Sequence, residues 1–144
     1  MPGYHGDGLT ARNTRQKTAI RSVFEGTGRP LTTGEVLAVA QQHVEGLGIA
    51  TVYRTIKALL DEEWLASVEL PGEPVRYEVA GKGHHHHFLC ESCGGVFELD
   101  GCQPSVERLA KPGFVVRSHE VVLYGRCRDC GSRRKKRRRG RPKR

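Results

Sequence analysis

The first eighty residues change from helical to strand periodicity. Apolar side chains recur every three or four positions in three stretches, which predict helices over residues 14–25, 32–44 and 50–60. From residue 65 the apolar positions alternate, so two short strands, 65–70 and 75–79, are predicted on either side of a Pro-Gly turn. Three helices followed by a β-hairpin are typical of a winged-helix domain.

Two of these helices carry more specific signals. Thr32 and Glu35 have the spacing of a capping box, in which each side chain accepts a hydrogen bond from the other residue's backbone amide. In the third helix, Val52, Ile56 and Leu59 share one face. The other faces then carry three residues that are able to meet a ligand: Tyr53, Arg54 and Lys57.

The pattern after a Gly-Lys-Gly linker is that of a small α/β domain. It predicts strands over residues 86–89, 96–99 and 114–124 and a short helix over 104–110. The chain is therefore expected to be α+β and to have five parts: a flexible arm (1–13), a winged-helix domain (14–80), a hinge (81–83), a second domain (84–131) and a disordered basic tail (132–144).

Positive charge is concentrated in the tail. Residues 133–144 contain 10 of the 24 Lys and Arg residues, which leaves 14 basic against 16 acidic residues in the rest of the chain. This distribution indicates a local contact with a polyanion such as nucleic acid, and a solvated tail without a specific role is the alternative. The sequence Arg139-Gly140-Arg141-Pro142 resembles an AT-hook core, which would enter the minor groove of A·T-rich DNA; non-specific phosphate contact is the alternative.

Membrane and secretion signals are missing from the sequence pattern. No apolar run approaches the ~20 residues that a membrane span needs, and the first residues lack the cationic and apolar regions of a secretory signal. We therefore expect a cytoplasmic protein without a membrane partner. In that reducing compartment, the five cysteines are interpreted as metal ligands before disulfides.

Four of the cysteines form two Cys-x-x-Cys pairs, Cys90 with Cys93 and Cys127 with Cys130. A glycine follows each pair, and such knuckles let backbone amides approach sulfur. Four thiolates satisfy a tetrahedral zinc ion, with Zn–S bonds of ~2.3 Å. The pattern predicts a structural zinc site, because a redox-active dithiol or an iron–sulfur cluster would be expected to bring companion motifs.

Four consecutive histidines, residues 84–87, precede the first cysteine pair. Side chains alternate between the two faces of a strand, so His85 and His87 point one way and His84 and His86 the other. Two separate two-histidine sites are therefore predicted. Nitrogen and oxygen ligands suit zinc, iron(II) or manganese, and the residues that could complete the sites are Glu78, Glu98, Asp100, Glu107 and His119.

Three motifs together resemble the ferric uptake regulator family. They are Gly-Ile-Ala-Thr-Val-Tyr-Arg-Thr over residues 48–55, the histidine and cysteine stretch over 84–93, and the ending over 119–130. The resemblance spans about residues 10–131. It implies a homodimeric, metal-dependent transcriptional repressor of metal homeostasis genes. Its winged helix would bind double-stranded operator DNA, and its second domain would dimerise and sense a metal.

The resemblance also assigns ligands to three metal sites. The structural zinc site is matched by Cys90, Cys93, Cys127 and Cys130. The regulatory site at the hinge is matched by Glu78, His85, His87 and Glu98. The second site, in the dimerisation domain, is matched by His84, His86, His119 and Glu107, with Asp100 or Cys102 as alternatives to Glu107.

Two departures from the family pattern leave the sensed metal open. The chain has Pro30-Leu31 where the iron and peroxide branches usually place a histidine, and Ala80 where a zinc branch often has a cysteine. Glu69 is a candidate extra ligand. Beside the structural zinc, the regulatory metal is expected to be iron(II) or zinc, with manganese(II) as a further candidate.

The third helix is the expected reader of DNA. Arg54 can bind guanine through two hydrogen bonds, and the ring of Tyr53 can pack on a thymine methyl. Packing within the winged helix is the alternative for Tyr53. Five further residues are expected to contact DNA. They are Thr51 and Lys57 on the third helix, Arg15 on the first helix, which would contact the DNA backbone, and Arg139 and Arg141 in the tail.

Two other classes of function are open to the sequence. A zinc-ribbon RNA-binding module would use the knuckles and the tail but would leave the winged helix without a role. A zinc hydrolase or deaminase needs an open metal position beside a general base, and the His-x-Glu and Pro-Cys-x-x-Cys motifs of nucleic-acid deaminases are missing. We therefore expect neither enzymatic activity nor a small-molecule substrate.

Overall fold

The computed structural model describes residues 7–132, and the chain divides into two compact units, Met1–Gly81 and Lys82–Arg144. The expectations for residues 1–6 and for the tail after residue 132, including Arg139 and Arg141, lie outside the described residues. None of the helices within residues 7–132 is both long and apolar enough to cross a lipid bilayer.

The first unit consists of three helices followed by a β-hairpin. The elements are α1 Asp7–Thr27, α2 Thr33–Ala40, α3 Ile49–Asp61, β1 Leu65–Val68 and β2 Arg76–Val79. β1 and β2 are antiparallel, with Leu65 opposite Val79. Leu31 bridges Tyr77 of β2 through two backbone hydrogen bonds of 2.9 Å. The order predicted for a winged helix is confirmed.

The boundaries of α1 and α2 differ from the sequence prediction. The predicted arm extends to residue 13, but α1 already begins at Asp7. Residues 8–15 are exposed, so this part of the helix buries no apolar face and produces no periodic signal. α2 ends at Ala40, four residues before the predicted end, because the amides of Gln42 and His43 bond three residues back instead of four.

The predicted capping box is present at the start of α2. The hydroxyl of Thr32 accepts a hydrogen bond from the Glu35 amide at 3.2 Å, and the Glu35 carboxylate accepts one from the Thr32 amide at 2.8 Å. Arg29 donates to the same carboxylate at 3.1 Å. Two helix-terminal amides are thereby satisfied, which sets where α2 begins.

The core of the first unit lies where the helices meet the hairpin. Trp64 borders it, edge-on to Phe24 with ring centroids 6.4 Å apart and with the Arg21 guanidinium 4.5 Å above its ring. Trp64 is the only tryptophan in the sequence, so its fluorescence reports on this unit. The buried core residues are Ile20, Val23, Phe24, Leu31, Val36, Ala40, Leu47, Val52, Ile56, Leu59 and Leu65.

The second unit is built on a three-stranded sheet. The central strand is β3 His86–Cys90, with β4 Val96–Leu99 antiparallel on one side and β5 Val122–Gly125 parallel on the other. Cys90 lies opposite Gly125 in the parallel pair. Because β3 and β5 run the same way, the cysteine pairs near their carboxyl ends meet at one edge of the sheet.

Two predictions for the second unit were too long. The predicted helix over 104–110 is a single 3-10 turn, Val106–Leu109, and the predicted strand over 114–124 is formed only at its end, in β5. Phe114 and Val115 are 69% and 85% exposed, and no backbone ladder forms over 114–120 in the described chain. A segment with strand periodicity forms a strand only when a neighbouring strand pairs with its backbone. The described sheet of this chain has no such neighbour beside residues 114–120.

Candidate metal centres and nucleic-acid interface

The four paired cysteines form one compact group at the edge of the second unit's sheet. Their sulfur atoms all lie within 4.8 Å of one another, and the Sγ atoms of Cys93 and Cys127 are 3.9 Å apart. The Cys127 amide donates to the Cys90 sulfur at 3.3 Å. Each pair closes with a glycine amide that donates to the carbonyl of the pair's first cysteine at 2.8 Å.

This geometry fits a tetrahedral zinc ion. Zn–S bonds of ~2.3 Å separate two tetrahedral sulfurs by roughly 3.8 Å, which agrees with the 3.9 Å between Cys93 and Cys127. An amide directed at sulfur is suited to a thiolate rather than to a thiol. The arrangement therefore meets the geometric requirement for the predicted structural zinc.

The four thiols cannot all ionise together without a cation. Backbone hydrogen bonds, first that of Cys127, lower the pKa of the Cys90 thiol to about 6. Hydrogen bonding with the Cys127 thiol, together with burial, raises the pKa of Cys130 to about 12. The Gly95 amide acts to lower the pKa of Cys93, but the Cys90 thiol and burial outweigh it and the pKa is raised. A divalent cation would resolve this conflict between neighbouring negative charges.

A second group lies on the other side of β3 from His85 and His87. It consists of His84, His86, Cys102 and His119, and one ligand atom from each lies within 4.8 Å of the others. The Nε2 atom of His119 is 3.1 Å from Nε2 of His84 and 2.8 Å from Sγ of Cys102. Nitrogen ligands at ~2.0–2.1 Å from tetrahedral zinc are separated by roughly 3.3 Å, so this group also fits a metal ion.

His86 is the buried member of this group. Its ring centroid lies 4.6 Å from that of His84 and 5.2 Å from that of His119, and the Val121 amide donates to its Nδ1 at 3.1 Å. Burial lowers the pKa of His86, and the neighbouring imidazoles, first that of His84, lower it further. The ring is therefore held in the neutral form that metal binding requires.

The carboxylates that the sequence suggested for this group are not among its closely spaced ligand atoms, although Asp100 lines the same cavity as His86 and Cys102. Glu107 is exposed on the 3-10 turn and Asp100 is exposed at the end of β4. Within residues 7–132, neither belongs to a compact group of metal-binding side chains. The structure instead brings Cys102, the other suggested alternative, to the three histidines.

His85 and His87 point to the opposite face, with ring centroids 4.9 Å apart. Nδ1 of His85 contacts the Gly83 carbonyl at 2.8 Å, so it carries the proton and the lone pair is on Nε2, the atom then able to bind a metal. Glu98 lies opposite His87 in the β3–β4 pair, and its carboxylate forms an ion pair with Lys82. Within residues 7–132, Glu98 does not form a compact group with these two histidines, so binding a metal together with them would require its carboxylate to leave Lys82.

The two remaining acids of the predicted regulatory site belong to the first unit. Glu78 lies on β2 opposite Ala66 and is buried, with 6% of its surface exposed. A carboxylate with so little contact with water needs compensation from hydrogen bonds or a cation. Glu69 is exposed just after β1.

α3 presents a polar face to solvent. Val52, Ile56 and Leu59 are buried, while Tyr53 is 57% exposed and Arg54 and Lys57 are exposed as well. Arg54 donates to the Thr51 hydroxyl at 3.2 Å, and Lys57 lies 3.8 Å from the Asp61 carboxylate. Arg15 is exposed on α1. The helix therefore offers side chains of the kind that bind bases and phosphates.

Sequence reasoning missed two polar residues next to Arg54. Asn13 and Thr55 line a cleft of about 260 Å³ together with Thr51 and Arg54. Asn13 was assigned to the flexible arm, and only the earlier start of α1 places it at the cleft. Thr55 directly follows Arg54, and its hydroxyl is of the kind that contacts DNA phosphates. These two facts are visible in the sequence and could have identified Thr55.

The family is identified by comparison with known proteins. Residues 9–124 match the model of the ferric uptake regulator family. The chain belongs to the ferric uptake regulator family. This family comprises metal-responsive regulators of transcription rather than enzymes. The matched range contains the motifs over 48–55 and 84–93 in full and residues 119–124 of the third motif.

Family relatives named for two different metals match this chain. The ferric uptake regulation protein of Campylobacter jejuni is 39% identical over 95 residues, which are 62% of this chain and 59% of the relative. The chain thus matches less than two thirds of that relative's length. The zinc uptake regulation protein of Mycobacterium tuberculosis is 31% identical over 125 residues, 84% of this chain and 95% of the relative. Overall identity therefore does not select the sensed metal.

A solved family structure supports the fold. The ferric uptake regulator of Helicobacter pylori is 27% identical, with a TM-score of 0.61 and coverage of 81% of this chain and 80% of that one. That protein is described as having three functional metal-binding sites. The predicted fold class, a winged helix followed by a small α/β domain, is confirmed.

Proposed function

We propose that this chain is a metal-responsive, sequence-specific transcriptional repressor that binds double-stranded operator DNA as a homodimer and controls metal homeostasis genes. The proposal rests on two features that occur together in this chain. α3 exposes Tyr53, Arg54 and Lys57 on a winged helix, and the second unit gathers imidazoles and thiols into metal-binding groups. Family membership supports the combination.

The four-cysteine group is proposed to hold a structural zinc. The metal would supply four bonds that tie the end of β3 to the segment after β5. The chain's own part is to supply the sulfurs at tetrahedral spacing and the Cys127 amide that stabilises the charge on the Cys90 sulfur. This site is closed, because four protein ligands fill a tetrahedral ion and leave no position for a substrate.

A regulatory divalent metal, iron(II) or zinc with manganese(II) as a further candidate, is proposed to bind His85, His87, Glu98 and Glu78, with Glu69 as an extra ligand. The Gly83 carbonyl orients the ring of His85, and the pairing of β3 with β4 places Glu98 opposite His87. Glu78 enters this set from the family resemblance, and Glu69 enters it as a candidate replacement for the histidine that this chain lacks before α2. A metal bound in part by each unit would restrict the motion of the DNA-reading unit relative to the dimer.

The dimer is proposed to form through the second unit. This unit leaves large apolar side chains in water, including Leu109 at 84% exposure and Val115 at 85%. The backbone over 114–120 forms no ladder within the described residues 7–132, so it can pair with the same segment of a second copy. The apolar side chains that this contact would cover are Leu109, Phe114, Val115, Val116, Leu123 and Tyr124.

Metal sensing then follows from dimer geometry. In a two-fold dimer, the two copies of α3 must match DNA half-sites about one helical turn apart. A metal that restricts the motion of the two winged-helix units favours the distance between the two copies of α3 that fits the operator. The coupling is reciprocal, so operator DNA must raise the affinity for the regulatory metal by the same factor.

The test is metal-dependent binding of a duplex selected from a random-sequence DNA library with the wild-type protein. Arg54→Ala should weaken this binding by about 5- to 150-fold, equivalent to about 1–3 kcal/mol, because Arg54 reads base edges. Arg21→Ala is the matched control, since it removes the same charge from α1 where the guanidinium already contacts Trp64. Equal effects of the two substitutions, or binding that ignores metal, would contradict the proposal.

The tail is proposed to add a further DNA contact, by minor-groove insertion of Arg139 and Arg141 or by phosphate contact. Truncation after Ser132 removes 10 basic residues and should flatten the dependence of DNA affinity on salt concentration. The slope of log affinity against log salt measures this directly. An unaltered slope would exclude both kinds of contact. A preference for RNA over duplex DNA in competition would favour the zinc-ribbon RNA-binding alternative.

A further inference from the structure

The loop after β4 places a cysteine at a position where the family resemblance assigns a carboxylate. Gly101 has a φ of +84°, a left-handed conformation that favours glycine, and the turn it makes delivers Cys102 to His119. The sulfur lies 2.8 Å from Nε2 of His119. Glu107, the expected acidic ligand, is exposed on the 3-10 turn.

We propose that Cys102 is a thiolate ligand of the second metal site, which binds zinc through three imidazoles and one sulfur. The other ligands are His84, His86 and His119, whose ligand atoms lie within 4.8 Å of one another and of the Cys102 sulfur. This inference deepens the proposed function, because it names the metal of one of its sites.

The set of donors determines the metal preference. Thiolate and imidazole together suit zinc, whereas manganese prefers carboxylate, carbonyl and water oxygens. Exchanging a carboxylate for a thiolate therefore moves the site toward zinc and away from manganese. Four protein donors also match the coordination number of tetrahedral zinc without recruiting Glu107 or Asp100.

The buried histidine is an independent indication of a ligand. His86 is 94% buried, and its Nε2 has no hydrogen-bond partner within the described part of the chain. Because its Nδ1 accepts from the Val121 amide, the neutral ring carries its proton on Nε2. Binding zinc through Nε2 moves that proton to Nδ1 and breaks the Val121 hydrogen bond. The Cys102 thiol loses its proton to solvent, so one proton is released for each zinc bound.

Cobalt(II) titration of the protein tests the ligand set directly. The titration uses full-length protein whose zinc content is held at one structural ion per chain. Wild-type protein should show a sulfur-to-cobalt charge-transfer band and the visible spectrum of tetrahedral cobalt. Cys102→Ser should lose the charge-transfer band. Its zinc affinity, measured by chelator competition, should fall at least about 10-fold, since even loss of an outer-shell partner costs that much.

Two further variants distinguish the possible fourth ligands. Glu107→Gln is the matched control and should leave the spectrum and the zinc affinity unchanged. Cys102→Asp supplies a carboxylate, as in the family pattern. This variant should still bind metal, but the ratio of its zinc affinity to its manganese affinity should be lower than in the wild type. The amide resonance of Val121 should move on zinc binding in the wild type, because its hydrogen bond to His86 is lost.

A charge-transfer band that survives in Cys102→Ser, or a loss reproduced by Glu107→Gln, would overturn the inference. The same holds if cobalt fails to bind beside the structural zinc. None of these measurements involves DNA. A wild-type protein that shows the Cys102-dependent band but binds DNA without regard to metal would refute the proposed function and leave this zinc site in place.

Discussion

Removing the four-cysteine metal centre should unfold the second unit and leave the first unit folded. The perturbation is the double substitution Cys93→Ser and Cys130→Ser. Cys93 is exposed and Cys130 partly exposed, so serine there costs little packing and the effect measures the loss of metal ligands. Cys90 is fully buried and would confound metal loss with a change in packing.

The magnitude follows from how little the second unit buries. Within residues 82–132, its buried apolar side chains, apart from Cys90, are Leu89 and Val96, at about 1.5–3 kcal/mol each. A structural zinc contributes about 10–16 kcal/mol in small zinc domains at neutral pH. The metal therefore outweighs the burial within this unit. Without it, β5 must pair with β3 across a long loop, since Cys93 and Cys127 are 34 residues apart in sequence.

Hydrogen exchange and fluorescence separate the two units in one sample. The amides that pair β3 with β5 should lose protection in the double variant, while the emission of Trp64 should stay as in the wild type. Glu107→Gln is the control and should keep both signals, because Glu107 is exposed and lies outside the compact metal-binding groups found in residues 7–132. Retained protection of β3 after the zinc is lost would refute the reasoning, and so would a shifted Trp64 spectrum.

The remaining predictions concern the capping box and an ion pair. Thr32→Ala should destabilise the first unit by about 1 kcal/mol in denaturant unfolding followed by Trp64 fluorescence. Burial acts to raise the pKa of Glu35, but the Thr32 amide and Arg29 outweigh it and lower the pKa below 4.5. Its contribution to stability is thus present above pH 4.5 and lost as the pH falls below it; Glu35→Gln should remove this acid-dependent loss, and an unchanged pH profile would count against it. Lys82→Gln should raise manganese affinity about 1.5- to 5-fold by releasing Glu98, and a fall in affinity on titration would contradict the competition between Lys82 and the metal.

Local signals in the sequence were sufficient for the elements and for the spacing of the cysteines. The capping box of Thr32 and Glu35 acts over four residues, and the periodicity of Val52, Ile56 and Leu59 acts within one helix. The alternation of the histidine run follows from strand geometry alone. Each of these features depends on neighbours a few residues away, so the chain carries the information without its tertiary structure.

Tertiary structure decided what depends on distant partners. The choice of Cys102 over Glu107 beside His119 depends on the path of the loop after Gly101, which no periodicity records. The partial strand over 114–124 depends on whether a neighbouring strand is present. The parallel pairing of β3 with β5, which joins two cysteine pairs 34 residues apart, is also a long-range contact. Backbone hydrogen bonds and ligand geometry between remote segments therefore set the metal sites, because the sequence fixes which donors exist but not which of them meet.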